Sequence, residues 1–306
     1  MCKINGIINI MKPSGMTSYQ VVSRVKKLLS AKKAGHTGTL DPAARGVLPV
    51  CLGKATRVIP FIPEGEKEYI AEIFLGVTTD TLDGDGRITS RNNNWHVIDI
   101  NKVNETLQSF VGEIDQLPPM YSAVHYQGRR LYQLAREGKS VEREKRKIKI
   151  HELELLDFKL PVLKIRILCS KGTYVRTLAD DIGKSLSVGA HLKNLIRTKS
   201  GPFSIEDAVE LEDLKVQGEQ KLLPLDYPLS FPVLKLNKES LSFAENGVVL
   251  YRHNFAELPY KLDEYLKKDK RVSIYYNDYL VSINELDIKD NNFECKPIRV
   301  FNMHLS

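Results

Sequence analysis

Two stretches of strict alternation constrain this chain most. In "EYIAEIFLGV", Tyr69, Ala71, Ile73 and Leu75 fall on one face; in "LKIRILC", Leu163, Ile165, Ile167 and Cys169 alternate with Lys164, Arg166 and Leu168. Successive side chains of a strand point to opposite faces, so this period predicts two strands with one buried face each. Helical signals stand between and around them. At Ser18–Leu29, Thr17 and Gln20 have capping-box spacing, and Val21, Val22, Val25, Leu28 and Leu29 share a face. Asn101–Val111 places Val103, Leu107 and Phe110 at helical spacing, and "SKGTYVRTLADDIGKSL" reads as a Gly turn followed by a helix with Leu178, Ile182 and Leu186 in register. Strands mixed with helices in this way predict an α+β fold.

The 306 residues allow two domains. The connector "KLLPLDYPLSFPVL", with three prolines, sets the expected boundary: a larger domain at 1–230 and a smaller one at 231–306, with strand candidates such as "VSIYYNDYLVSI". The larger part has 34 Lys+Arg against 27 Asp+Glu and the smaller 11 against 11, so the net +7 belongs to the larger part. No run approaches the ~18–20 apolar residues of a membrane span, and the opening "MCKINGIINIMKPSG" is too short in apolar residues for a signal peptide, so a cytoplasmic protein is expected. Cys2, Cys51, Cys169 and Cys295 lie far apart with no ligand spacing, which argues against a zinc site and a disulfide framework. In "TTDTLDGDGRITS" the Asp-Gly pairs predict a hairpin. Calcium is rejected there: with Asp83 as first ligand, Arg87 and Asn94 stand where an EF-hand needs an acid or amide and then Glu.

"GHTGTLDPAARGVLPVCLG" presents one acid, Asp41, in a Gly-, Thr- and Pro-rich loop before an apolar run that reads as a buried strand. Asp-Pro by itself signals a capped turn. Gly35 and Gly38, which let a partner approach the backbone, and the hydroxyls of Thr37 and Thr39 favour a binding loop instead. Further on, residues 128–150 carry nine Lys/Arg against three Glu, with Tyr126 and Tyr132 among the basic residues. That composition suits a nucleic-acid surface or a solvated face.

Five segments, in order, resemble the TruB family of tRNA pseudouridine synthases: "GIINIMKPSGMTSYQVVSRVKK", "GHTGTLDPAARGVLPVCLGKATR", "KEYIAEIFLGVTTDTLDGDG", "PPMYSAVHYQGRRLYQLAREG" and "CSKGTYVRTLADDIG" with "GAHLKNLIRTKSGPFS". They cover most of residues 5–205. The resemblance implies the pseudouridine synthase fold, with a central, mostly antiparallel sheet and a small C-terminal PUA-like β-barrel. It implies isomerisation of uridine-55 in the T-loop of tRNA, with base flipping and with no cofactor or metal. By position, Asp41 is the nucleophile, Arg176 its cationic partner, and Tyr69 the ring that stacks on the flipped uracil and handles the C5 proton. Tyr174 and Leu195 line the pocket, with core packing as the alternative for each. His36 displaces the target nucleotide, a step any enzyme acting on a stacked base must accomplish. Lys67 contacts phosphate or is simply solvated.

The segment near 120–150, with His125, Arg129 and Arg130, corresponds to the family's RNA-gripping insertion. The family often has Lys where His125 stands, which makes that contact weaker and pH-dependent. The expected partner is the tRNA T-arm, met by a monomer with no obligate protein partner and no membrane. Three rivals are weighed: a tRNA-folding chaperone with an incidental site, a glycoside hydrolase that would need a second acid in place of Arg176 and Tyr69, and a guide-RNA-dependent relative.

Overall fold

The structure is a computed structural model that describes residues 4–63, 65–259, 262–289 and 292–301. Its centre is a ten-stranded sheet. From edge to edge the main path runs Val209–Glu210, Gly6–Lys12, Arg45–Leu52, Ala190–Ser200, Lys67–Leu75, Val162–Cys169, Arg146–Lys159 and Gly112–Gln116. Most neighbours are antiparallel. Gly6–Lys12 runs parallel to Val209–Glu210, and Arg45–Leu52 parallel to Ala190–Ser200.

Sequence pattern and cover agree strand by strand. Lys67–Leu75 alternates because one face packs on helices Ile100–Ser109 and Val175–Ser185, where Ile73, Leu75, Leu107, Leu178 and Ile182 share a core, while Glu68, Ile70, Glu72 and Phe74 stay partly exposed. Gly6–Lys12 is buried throughout, and Arg45–Leu52 is buried after its first residue, because both faces are covered. Ile8, Ile10, Leu48, Val50 and Leu52 meet helix Ser18–Leu28; Ile7, Val47 and Cys51 face a second cluster with Phe231, Leu280, Ile283 and Phe301. A strand covered on both sides reads as a continuous apolar run. Burying an Ile or Leu is worth about 1.5–3 kcal/mol, against about 0–1 for an exposed ion pair, so cover fixes this order more than surface charge does.

Helix Ser18–Leu28 starts as expected. Thr17 accepts from the Gln20 amide, and the Gln20 side chain accepts from the Thr17 N–H. The Asp-Gly hairpin forms, but as a separate ribbon of Val77–Thr79 with Ile88–Arg91; Gly76, at φ +81°, ends the preceding strand first.

A five-stranded sheet follows, ordered Phe255–Glu257, Val233–Leu236, Arg271–Tyr276, Tyr279–Lys289, Asn292–Val300. It corrects the expected β-barrel: among the described residues no ladder joins the first of these strands to the last. The edge strand Phe255–Glu257 is three residues long, and its Phe255 ring meets Phe293 of the opposite edge with centroids 5.6 Å apart, so side chains fill the seam where backbone pairing would close the sheet. The sheet curls until side chains touch and remains open. Among the described residues no helix is long and apolar enough to cross a membrane.

Candidate active site

Asp41 sits in a loop whose backbone is held from two directions. From the N-terminal side, the fully buried Lys12 donates to the carbonyls of Pro13, Pro42 and Ala44 at 2.9, 3.0 and 2.6 Å. Ser14 Oγ donates to Ala43 O, the Gly15 N–H to Pro42 O, and Ser18 Oγ bonds both the N–H and the carbonyl of Leu40. From the other side, the fully buried Arg197 donates to the carbonyls of Val47, Thr39 and Gly38 at 2.8, 3.3 and 3.1 Å. Gly46 passes so close to Arg197 that an added Cβ would lie 2.2 Å from its carbonyl oxygen. The turn closes through the Ala44 N–H and the Asp41 carbonyl. Buried carbonyls require donors, and these side chains supply them.

The Asp41 carboxylate turns to Arg176, whose Nε lies 2.9 Å from its Oδ2. The guanidinium, at the start of helix Val175–Ser185, is itself fixed: Nη1 donates to Asp83 Oδ2 at 3.2 Å and Nη2 to the Tyr121 carbonyl at 2.9 Å. Arg176 is 7 % exposed, whereas Asp41 keeps 40 % of its side-chain surface. Desolvation raises the Asp41 pKa above the ordinary carboxylate value; Arg176 pulls it down, Asp83 pushes it up and Lys12 pulls it down again. A carboxylate so placed is poorly hydrated and held in one direction by a fork that stays charged when buried, which is what a nucleophilic carboxylate needs.

Tyr69, 6 % exposed, lies opposite Arg197 on the neighbouring strand, with Ala71 opposite Leu195. Alternation therefore puts Tyr69, Ala71, Leu195 and Arg197 on one face, and Tyr69 shares a core cluster with Leu40 and Ala44 on either side of Asp41. Burial raises the Tyr69 pKa; the neighbouring Arg197 acts the other way. His36 ends the short strand Ala34–His36, its Nδ1 buried without a partner among the described residues, and burial followed by the Arg197 charge lowers its pKa. Lys67 and Thr37 line a cavity of about 610 Å³, and burial brings the Lys67 pKa to about 8. Tyr174 caps the Arg176 helix, its backbone paired with the Gln116 amide.

The insertion lies apart from these groups. His125–Tyr126 and Arg129–Arg130 form a tight hairpin over Gln127 and Gly128, both at positive φ. Arg129 is ion-paired with Glu137, while His125 and Arg130 are exposed. Among the described residues no hydrogen bond or ion pair joins the three to Asp41. The link is the Tyr121 carbonyl, at the root of the insertion, held by Arg176.

Three residues of the site escape sequence reasoning. Asp83 looks like a turn acid, and also accepts from Thr81 Oγ1 at 2.5 Å. Lys12 and Arg197 are lone cations at the end of an apolar strand and inside another, and only a charge amid apolar residues hints at them.

The large central sheet, with the Asp41 loop at its strand Arg45–Leu52, has the fold of a pseudouridine synthase. Solved structures with the same fold include a chain of a Cbf5-Nop10-Gar1 complex, at TM-score 0.72 and 29 % identity over 97 % of this chain and 84 % of that one. A chain of an H/ACA RNP bound to a substrate RNA containing 2'-deoxyuridine matches at TM-score 0.72 and 28 % identity, with the same coverage. The family model for the N-terminal domain of TruB family pseudouridylate synthases matches residues 26–175, and that for the tRNA pseudouridylate synthase B C-terminal domain matches 176–230. The tRNA pseudouridine synthase B of Francisella tularensis subsp. novicida is 44 % identical over 93 % of this chain and 92 % of its own, and that of Symbiobacterium thermophilum 52 % identical over 72 % and 75 %. The chain belongs to the TruB family of pseudouridylate synthases, which are isomerases.

Proposed function

We propose that the chain converts uridine-55 in the T-loop of tRNA to pseudouridine, with Asp41 as nucleophile. The carrying observation is the 2.9 Å contact between Asp41 and Arg176, in a cleft where Arg176 has two further anchors. The relatives' shared name, tRNA pseudouridine synthase B, supports tRNA as the substrate. In the reaction the N1–C1′ bond breaks, the uracil turns, and C5 bonds to C1′. C5 gives up its proton and N1 gains one, so the step is redox-neutral.

Asp41 attacks as the ionised carboxylate, at ribose C1′ or at the base, and Arg176 opposes the neutralising effect of desolvation. Tyr69 stacks on the uracil; its raised pKa keeps the phenol neutral and favours stacking over action as a base. Leu195 and Tyr174 wall the base. His36, neutral through its lowered pKa, fills the space the nucleotide leaves, and Lys67 meets phosphate. The insertion with His125, Arg129 and Arg130 grips the T-arm, residues 231–306 act as an accessory domain to a 1–230 catalytic domain, and the protein works as a cytoplasmic monomer.

The test uses an unmodified tRNA transcript tritiated at uracil C5, with wild type and Asp41→Asn, in the presence of a chelator. Release by wild type alone is expected, with the product mapped to position 55. Tight tRNA binding without release by either protein would replace this reading with that of a tRNA-folding chaperone.

A further inference from the structure

Asp41 is the first acidic residue of the chain. Residues 1–40 contain seven Lys/Arg and no Asp or Glu, and the whole chain has a net charge of +7, which leaves residues 41–306 formally neutral with 38 of each. Of the seven, Lys12 is buried under the Asp41 loop. Arg24, Lys26, Lys27, Lys32 and Lys33 are exposed on helix Ser18–Leu28 and the turn after it. Among the described residues none of these five has an ion-pair partner.

Several cations elsewhere are ion-paired. Arg129 pairs with Glu137, Arg271 with Asp269, and Arg166 with Glu68, Glu152 and Glu154. A groove wall that gathers cations and carries no acid suits a polyanion, whose charge relieves their mutual repulsion.

The face is also shaped. A groove of about 370 Å³ is lined by Tyr19, Val22, Lys26, Lys32, Lys33 and Thr56, among others, with no acid in its wall. The Tyr19 ring is 78 % exposed beside these cations. Ala34, also in the wall, starts the strand that ends at His36, two residues or about 7 Å further on. The groove and His36 thus meet the two ends of one three-residue strand.

We propose that this groove is an RNA-backbone subsite, where Lys26, Lys32 and Lys33 take phosphates flanking the displaced nucleotide and Tyr19 lies against a sugar or base. An exposed aromatic among unpaired cations is the combination that grips nucleic acid without reading its sequence. The inference rests on RNA being the substrate, as proposed above.

The experiment measures binding of an unmodified tRNA transcript between about 50 and 200 mM salt for wild type, the Lys26→Gln/Lys32→Gln/Lys33→Gln triple variant, the corresponding Lys→Arg triple variant and Tyr19→Ala. Loss of three phosphate contacts lowers the slope of log affinity against log salt by about 2, with at least a tenfold loss of affinity at the lower salt. The Arg variant keeps the wild-type slope, and Tyr19→Ala weakens binding about fivefold without changing it. A Gln variant with wild-type slope and affinity, and with its helical content retained, overturns the proposal. Tritium release by the same wild-type preparation is followed in parallel. Its absence would defeat the isomerase reading, while the slopes would still decide the groove.

Discussion

The loop at residues 38–44 and the insertion near residues 120–145 are both turns and short segments, but they are held in opposite ways. The loop's ties come from distant parts of the chain: Lys12, Ser18, Arg176 and Arg197 reach it from other elements. The insertion's ties are mostly local: Val124 and Ser122 carbonyls accept from the following helix, Arg129 pairs with Glu137 and so does Lys139. Its exceptions include Arg143, which donates to the Pro118 carbonyl, the root held by Arg176, and the charge of Lys145 acting on Asp181. In the roles proposed above, the difference would separate chemistry from grip: a nucleophile has to be held within a fraction of an ångström by groups that are themselves locked, whereas a surface that follows an RNA arm gains from local ties that open cheaply.

The largest expected effect breaks the rigid side. Arg176→Lys keeps a positive charge but cannot reach Asp41, Asp83 and the Tyr121 carbonyl together, and turnover should fall about 10²–10³-fold or more, read by tritium release at saturating tRNA. The pH profile sharpens this. The Asp41 pKa is already raised, and the proposed nucleophile is the ionised form, so wild-type turnover should decline as pH falls through a midpoint above the ordinary value of about 4. With Arg176→Ala the attraction is gone and the Asp83 repulsion remains, so the midpoint of any residual activity moves to higher pH. An unmoved midpoint would assign the acid limb to another group.

Next comes the frame. Arg197→Met leaves the carbonyls of Gly38, Thr39 and Val47 without their donor, and stability should drop by about 2–4 kcal/mol in urea unfolding, with turnover falling in step. The same kind of change in the insertion, Arg129→Met, breaks an exposed pair and should cost under about 1 kcal/mol. Equal costs at the two sites would erase the contrast. The smallest effect is His125→Lys, which adds a permanent cation on the exposed hairpin: tRNA affinity in a filter-binding assay at low salt should rise about two- to fivefold.

The same contrast governs what the sequence made readable. Local rules sufficed for the capped helix at Ser18, the alternating strand at Lys67–Leu75 and the continuous apolar strand that follows Asp41, because each depends on neighbours a few residues apart. The Asp41–Arg176 pairing came only through resemblance, since 135 positions separate the partners. Asp83, Lys12 and Arg197 were missed because their roles arise from contacts that no local pattern encodes. The position of Ala190–Ser200 near the middle of the sheet was hidden too, since its sequence lacks clean alternation and its ladder shifts register between Leu192 and Asn194 and again after Arg197. The open C-terminal sheet differed from the barrel because closure depends on contacts between its two edges, where Phe255 and Phe293 meet through their rings, and no local pattern encodes that.

The cover of the strand after Asp41 has a consequence for synthesis. Val47 and Cys51 pack against Leu280, Ile283 and Phe301, so a segment made among the first fifty-two residues waits for the last part of the chain before its second face is dry. At about 5–20 residues per second, some 250 residues take on the order of 10–50 s. During that interval the apolar side chains on this face of the strand after Asp41 lack part of their cover, although Ala55, Val58 and Phe203 of the same cluster are made earlier.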